Sequence, residues 1–218
     1  MRNIRQPKSK DIISIVADLP YFNIDNFSTI EKNKHYLKII LSRYQKSGKV
    51  IRLKKGVYVS KYYVDKMEKS NNFFVFSEFI TNLLYSPSYL SIDYVLYENN
   101  LLTEFPTNFT SVSINKTTRL SNRFGNFIYH KITNNLFIGF NLKKIGNFTI
   151  YKATKNKALF DYFYLRKNLL PDEESIKELR LNLYHLKEKD IKEIKKYVNI
   201  EGSRKMQIIF DNIVKLWK

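Results

Sequence analysis

Apolar residues recur along this chain with two different periods, and the changes of period outline its elements. From Lys8 to Ala17, Ile12, Ile13 and Val16 fall at helical spacing, and Pro20 closes the segment. A short second helix is expected over Ile24–Ile30. In KNKHYLKIILSRYQKSGK, Leu37, Ile40, Leu41 and Tyr44 stand at i, i+3, i+4 and i+7, the stripe of a helix lying on a core. Gly48 follows the last turn, where a left-handed residue commonly ends a helix. VIRL and VYVS then read as two strands, joined by a turn in which Gly56 can take positive φ. Residues 62–70 read as a connector.

Beyond the connector, NNFFVFSEFITNLL predicts a buried amphipathic helix with Phe76, Phe79, Ile80, Leu83 and Leu84 inward. SPSYLSIDYVLYENNLL predicts a Ser-Pro turn and a helix from about Ser91 to Tyr97. FTSVSIN, NRFGNFIYHKI, NLFIGF and FTIYKA are β-branched and aromatic runs parted by Asn and Gly, and they read as strands. The chain returns to helix at ATKNKALFDYFYLRK. It ends on a helix in which Met206, Ile209, Phe210, Ile213, Val214 and Trp217 keep a spacing of three and four. The expected fold class is α+β. Three helices and a hairpin form a winged helix-turn-helix over residues 1–65, and a mixed α+β domain with C-terminal helices covers 71–218.

Charge sharpens this picture. The chain carries 38 Lys+Arg against 20 Asp+Glu, a net charge of +18, which favours polyanionic partners. A composition rich in Lys, Asn, Ile, Tyr and Phe also follows from AT-rich coding, so placement has to decide. Residues 1–70 hold 16 basic and 6 acidic residues, 71–150 hold 6 and 4, and 151–218 hold 16 and 10. Lys32 to Lys61 holds ten basic residues and no acid. Opposite the apolar stripe of the third helix lie His35, Lys38, Ser42 and Lys46, the candidates for contact in a DNA groove. Lys34 and Arg43 are lateral and suit the backbone. Lys54 and Lys55, at the hairpin tip with Arg52 beside them, are placed to meet phosphates. The competing reading is a solvated helix face on a winged helix that docks on another protein.

Candidate chemistry adds little. There are no cysteines, hence no disulfide framework or thiolate chemistry. No apolar run approaches the roughly 18 residues of a membrane span, and no apolar core follows the basic N-terminus, so a cytoplasmic protein is expected. His35, His130 and His185 lie in different elements without metal-ligand spacing, and no phosphate-binding glycine loop, G-x-S-x-G or H-E-x-x-H is present. Neither metal nor cofactor nor catalytic residue is expected. Asp161, flanked by apolar residues in ALFDYF, is the acid that burial would perturb; a helix-surface acid or a structural salt bridge is its favoured reading, and metal-dependent nucleic-acid cleavage the alternative. Asp172–Ser175, after Pro171, read as acids at a helix N-terminus. Between Lys187 and Lys196, basic residues alternate with Glu188, Asp190 and Glu193 as on a solvated helix, the favoured reading over a second face for DNA or toxin.

Taken in order, SGKVIRLKKGVYV, SPSYLSIDYVLYENNLL, FTSVSINKTTRLSNRFGNFIYHKI and YKATKNKALFDYFYLR resemble the AbiEi family, antitoxin and transcriptional-regulator proteins of type IV toxin–antitoxin (abortive infection) systems. The resemblance spans almost the whole chain. The family's "YISLESAL..YGLI" helix corresponds to Tyr89–Leu102, its "T..R" strand to Thr117–Leu120, its "FG.F.Y..I" strand to Phe124–Ile132 and its "AT.EKALLDL.YL" helix to Ala153–Leu165. The chain departs from the family in the bulky residues and Asn-Asn of LSIDYVLYENNLL, and in Asn156-Lys157, where Pro-Glu is frequent. The resemblance implies an antitoxin domain after the winged helix and two tasks. One is repression of its own operon by binding double-stranded promoter DNA, with inverted repeats as the expected operator. The other is opposition, direct or functional, to a co-encoded nucleotidyltransferase toxin.

Overall fold

The structure, a computed structural model, describes residues 9–217. It is mixed α+β, and its residues gather in two compact units. The first runs to Ile80 and takes in Asn122–Phe124; the second comprises Thr81–Ser121 and Gly125 onward. The expected helix start at Lys8 and the inward side chain of Ile12 lie outside the described residues.

In the first unit, α1 (Ser9–Val16) is followed by a 3-10 turn (Ile24–Phe27), α2 (Lys34–Lys46), β1 (Val50–Lys54), β2 (Val57–Ser60) and α3 (Lys61–Lys69). The 3-10 turn is shorter than the helix expected over Ile24–Ile30. Asn23 and Asn26 explain the difference: their side chains accept the backbone N–H groups of Asp25 and Asn23, both at 2.8 Å, and so compete with helical bonding. Asn33 caps α2 by accepting from the N–H groups of His35 and Tyr36, each at 3.1 Å. Gly48, at φ +72°, ends it, and Lys49 N donates to the Tyr44 carbonyl at 2.9 Å. Leu37, Ile40, Leu41 and Tyr44 close on Val16, Phe22, Phe27 and Val50 to form the core.

β1 and β2 pair antiparallel around Gly56, which sits at φ +80°. The outer edge of β2 is met by Phe22, which exchanges backbone hydrogen bonds with Tyr58 at 2.7 and 2.8 Å. The stretch read as a connector is α3. Ser60 caps it, accepting from Tyr63 N at 3.0 Å while donating to the Ala17 carbonyl at 2.8 Å. Tyr63, Val64 and Met67 then bury one face, a helical spacing too short to stand out in sequence. The unit closes with the first part of α4 (Phe73–Leu84), so the two units part at Ile80, beyond the expected boundary at 71.

The second unit is built on a six-stranded sheet ordered β5-β6-β4-β3-β8-β7. Its strands are β3 (Ser88–Leu90), β4 (Asn108–Ser113), β5 (Thr118–Asn122), β6 (Gly125–Lys131), β7 (Phe140–Ile145) and β8 (Phe148–Ala153), with α5 (Ile92–Glu98) between β3 and β4. β3 runs antiparallel to β4 and parallel to β8, β4 parallel to β6, and β7 antiparallel to β8. Helices α6 (Lys155–Arg166), α7 (Glu173–Lys177), α8 (Glu188–Glu201) and α9 (Arg204–Trp217) follow. As expected, Asp172 caps α7, accepting from Ser175 N at 2.9 Å. NLFIGF is not the expected strand: Asn134–Leu136 form a 3-10 turn, Gly139 takes φ +75°, and β7 starts only at Phe140. NRFGNF is likewise divided by a turn at Arg123–Phe124. In α6, every residue from Asn156 to Phe163 is buried.

Candidate nucleic-acid interface

The placement of the predicted residues follows from the packing of α2. Its stripe faces the core, which leaves His35, Lys38, Ser42 and Lys46 exposed on the opposite side, with Lys34 and Arg43 exposed on the flanks. Lys34 Nζ pairs with Asp25 Oδ1 at 3.0 Å, both side chains open to water, so the pair is weak and easily exchanged for a phosphate. α2 contains four basic residues and no acid. A lysine or arginine on such a face keeps its charge available to an anion.

The hairpin adds a second group. Arg52 is exposed on β1, and its Nε donates to the Lys54 carbonyl at 3.4 Å beside an irregularity in the strand register. Lys55 is exposed in the turn. Lys54 differs from its neighbour: it is half-buried, and that burial pulls its ammonium below the ordinary lysine value. Asn122 holds this strand from the other side, its Nδ2 donating to the Leu53 carbonyl at 3.1 Å. The turn is therefore anchored at Leu53 and open at Lys55.

Two residues of this surface escaped the sequence reading. Ile39 is 39% exposed and sits among His35, Lys38, Ser42 and Arg43 on the outward side of α2. Its separation by two from Leu37 is the signal that was available. Lys49 is exposed just past α2, its Nζ 5.8 Å from the Tyr44 ring centre.

Asp161 lies in a buried salt bridge and not on a helix surface. It is fully buried, ion-paired with Lys157, and accepts from Tyr89 Oη at 3.0 Å and Ser91 Oγ at 2.8 Å. Burial pushes the Asp161 carboxyl up and the Lys157 ammonium down, and their pairing opposes both shifts. A recess of about 830 Å³ lies elsewhere in the second unit, lined by Asp93, Glu104, His130, Tyr162, Arg166 and Arg180 among others. There Arg166 donates to Asp93 at 3.3 Å and lies 3.6 Å from the Tyr162 ring centre, so its charge is already engaged. Among the described residues, no three His, Asp or Glu side chains gather where they would hold a metal ion. Compared with known proteins, the chain matches no family model and no curated relative.

Proposed function

We propose that the first unit is a winged helix-turn-helix that binds duplex DNA, and that the chain is an autoregulatory repressor and antitoxin of the type IV, AbiEi-like kind. The observation that carries this reading is the solvent-facing side of α2, which with its flanks exposes four Lys and Arg residues and no acid. In a winged helix this second long helix enters the major groove, and the hairpin turn meets the backbone beside it. His35, Lys38, Ser42 and Lys46 then face base edges, Lys34, Arg43, Arg52, Lys54 and Lys55 hold phosphates, and Ile39 offers an apolar contact of the kind that suits a thymine methyl. The order helix, 3-10 turn, helix, hairpin, with Phe22 paired to the edge of the hairpin, supports the assignment.

The antitoxin half rests on the resemblance. Its four motifs fall on β3 and α5, on β5, on β6 and on α6, the scaffold of the second unit. The cytoplasm is the corresponding compartment, and no helix of the described residues is long and apolar enough to cross a membrane. Gel-shift titration with the duplex upstream of the gene, at several salt concentrations, tests the first half. Retention of that duplex beyond a random one supports specific DNA binding; equal retention leaves the winged helix as a protein-docking module. Rescue of growth from a co-expressed, neighbouring nucleotidyltransferase tests the second.

A further inference from the structure

β7 closes one side of the six-stranded sheet, and its residues Asn141 to Lys144 are all exposed. An uncovered edge strand offers backbone N–H and C=O groups to a further strand. Leu142, 52% exposed, stands directly across from Tyr151, 39% exposed. Phe140, two residues from Leu142 on the same face, meets Tyr151 edge-on with ring centres 6.2 Å apart. Beside these rings opens a recess of about 230 Å³ lined by Asn82, Ser86, Pro87, Ser88, Phe137, Phe140 and Tyr151. Ser88 lends it a buried hydroxyl with no hydrogen-bond partner among the described residues.

Charge selects the occupant. Phe140–Ala153 carries Lys143, Lys144 and Lys152 and no acid, and Lys152 is already paired with Glu98 at 2.9 Å. Lys143 and Lys144 repel a basic strand and attract an acidic one. A second copy of this chain, with its net charge of +18, meets that repulsion in full. We propose that the β7 edge and the Phe140–Tyr151 recess form a docking site for an acidic, extended segment of a partner protein, which adds a strand to the sheet and seats one large apolar side chain in the recess. This site is independent of the DNA-binding reading.

The test uses the full chain and two fluorescein-labelled synthetic peptides. One alternates Asp and Glu with Val around a single Phe; the other replaces each acid with Lys. Fluorescence anisotropy should show binding of the acidic peptide alone, weakened about tenfold by Phe→Ala in the peptide and by K143E/K144E in the protein. Both lysines are exposed, and an unchanged thermal melt verifies that the variant is folded. Equal affinity for the two peptides, no binding of either, or indifference to K143E/K144E overturns the proposal. Self-association of the chain alone that Leu142→Asp abolishes also overturns it, assigning the edge to a second copy.

Discussion

Lys157 and Asp161, one turn apart on α6, form an ion pair with neither side chain reaching solvent. The pair is embedded in a wider arrangement. Asp161 accepts from Tyr89 and Ser91, which tie α6 to β3 and to the start of α5, while Lys157 Nζ lies 4.9 Å from the Phe160 ring centre, 5.6 Å from that of Tyr197 and 5.7 Å from that of Tyr89. Two buried charges far from water are tolerated because each finds its counter-charge and its hydrogen bonds.

Removing one partner should therefore cost more than removing both. Asp161→Asn leaves an uncompensated ammonium in the interior, and about 3–5 kcal/mol of stability should be lost, read from urea unfolding. The double variant Lys157→Met/Asp161→Leu should lose clearly less. A double variant less stable than Asp161→Asn alone would contradict the buried-charge account.

Gly139 precedes β7 at φ +75°, and a β-carbon there would stand 2.8 Å from Tyr197 Cζ and 3.0 Å from Lys157 Cδ. Both the backbone conformation and the space forbid a side chain. Gly139→Ala should cost roughly 1–3 kcal/mol from the backbone conformation alone and more from the clash, seen as a lower Tm. Gly56→Ala, where nothing lies within 4 Å, should cost only the conformational part.

Acid should unfold the second unit through Asp190 and Glu201. Burial raises both carboxyls, yet hydrogen bonds outweigh it. Asp190 accepts from Lys155 Nζ at 2.7 Å, Lys187 N at 2.9 Å and Asn156 Nδ2 at 3.1 Å, and Glu201 from Lys167 Nζ at 2.6 Å and Ser203 N at 2.8 Å. Both end below the usual carboxylate range. A carboxyl depressed on folding binds its proton more readily in the unfolded chain. Its stabilisation is complete above the unfolded pKa, about 4, and is lost as pH falls through the folded value. Urea midpoints measured from about pH 5 down to pH 3 should fall, and more shallowly in Asp190→Asn.

On DNA, Arg43→Glu and Lys55→Glu should each weaken operator binding at least about tenfold and lower the salt slope by about one unit per lost phosphate contact. Lys54→Glu should do less, since its ammonium is half-buried. Ile39→Ala should leave the salt slope unchanged and reduce discrimination at a thymine. Replacing that thymine with uracil should then have no further effect on the variant.

Much of the first unit was legible because its signals are local. The stripe from Leu37 to Tyr44, Gly48 at the helix end and Gly56 in the turn each obey a rule of neighbouring residues, and all appear where the pattern put them. The same rules failed where the partner was distant. α3 buries only Tyr63, Val64 and Met67, β3 is three residues long, and β7 shows polar residues on both faces, with Asn141 to Lys144 all exposed. The exposure of the candidate residues on α2 followed from its stripe; the half-burial of Lys54 did not.

From the order of its residues alone, this protein's α+β class, its acid-free basic window and the outward side of α2 were determined, since helical period and charge are properties of the chain itself. The tertiary structure alone decided that Asp161 is a buried ion-pair partner, that Lys54 and Lys55 differ, and that β7 stands at an open edge. Each of these depends on which distant atoms displace water from a side chain, and desolvation is not encoded in any short stretch of sequence.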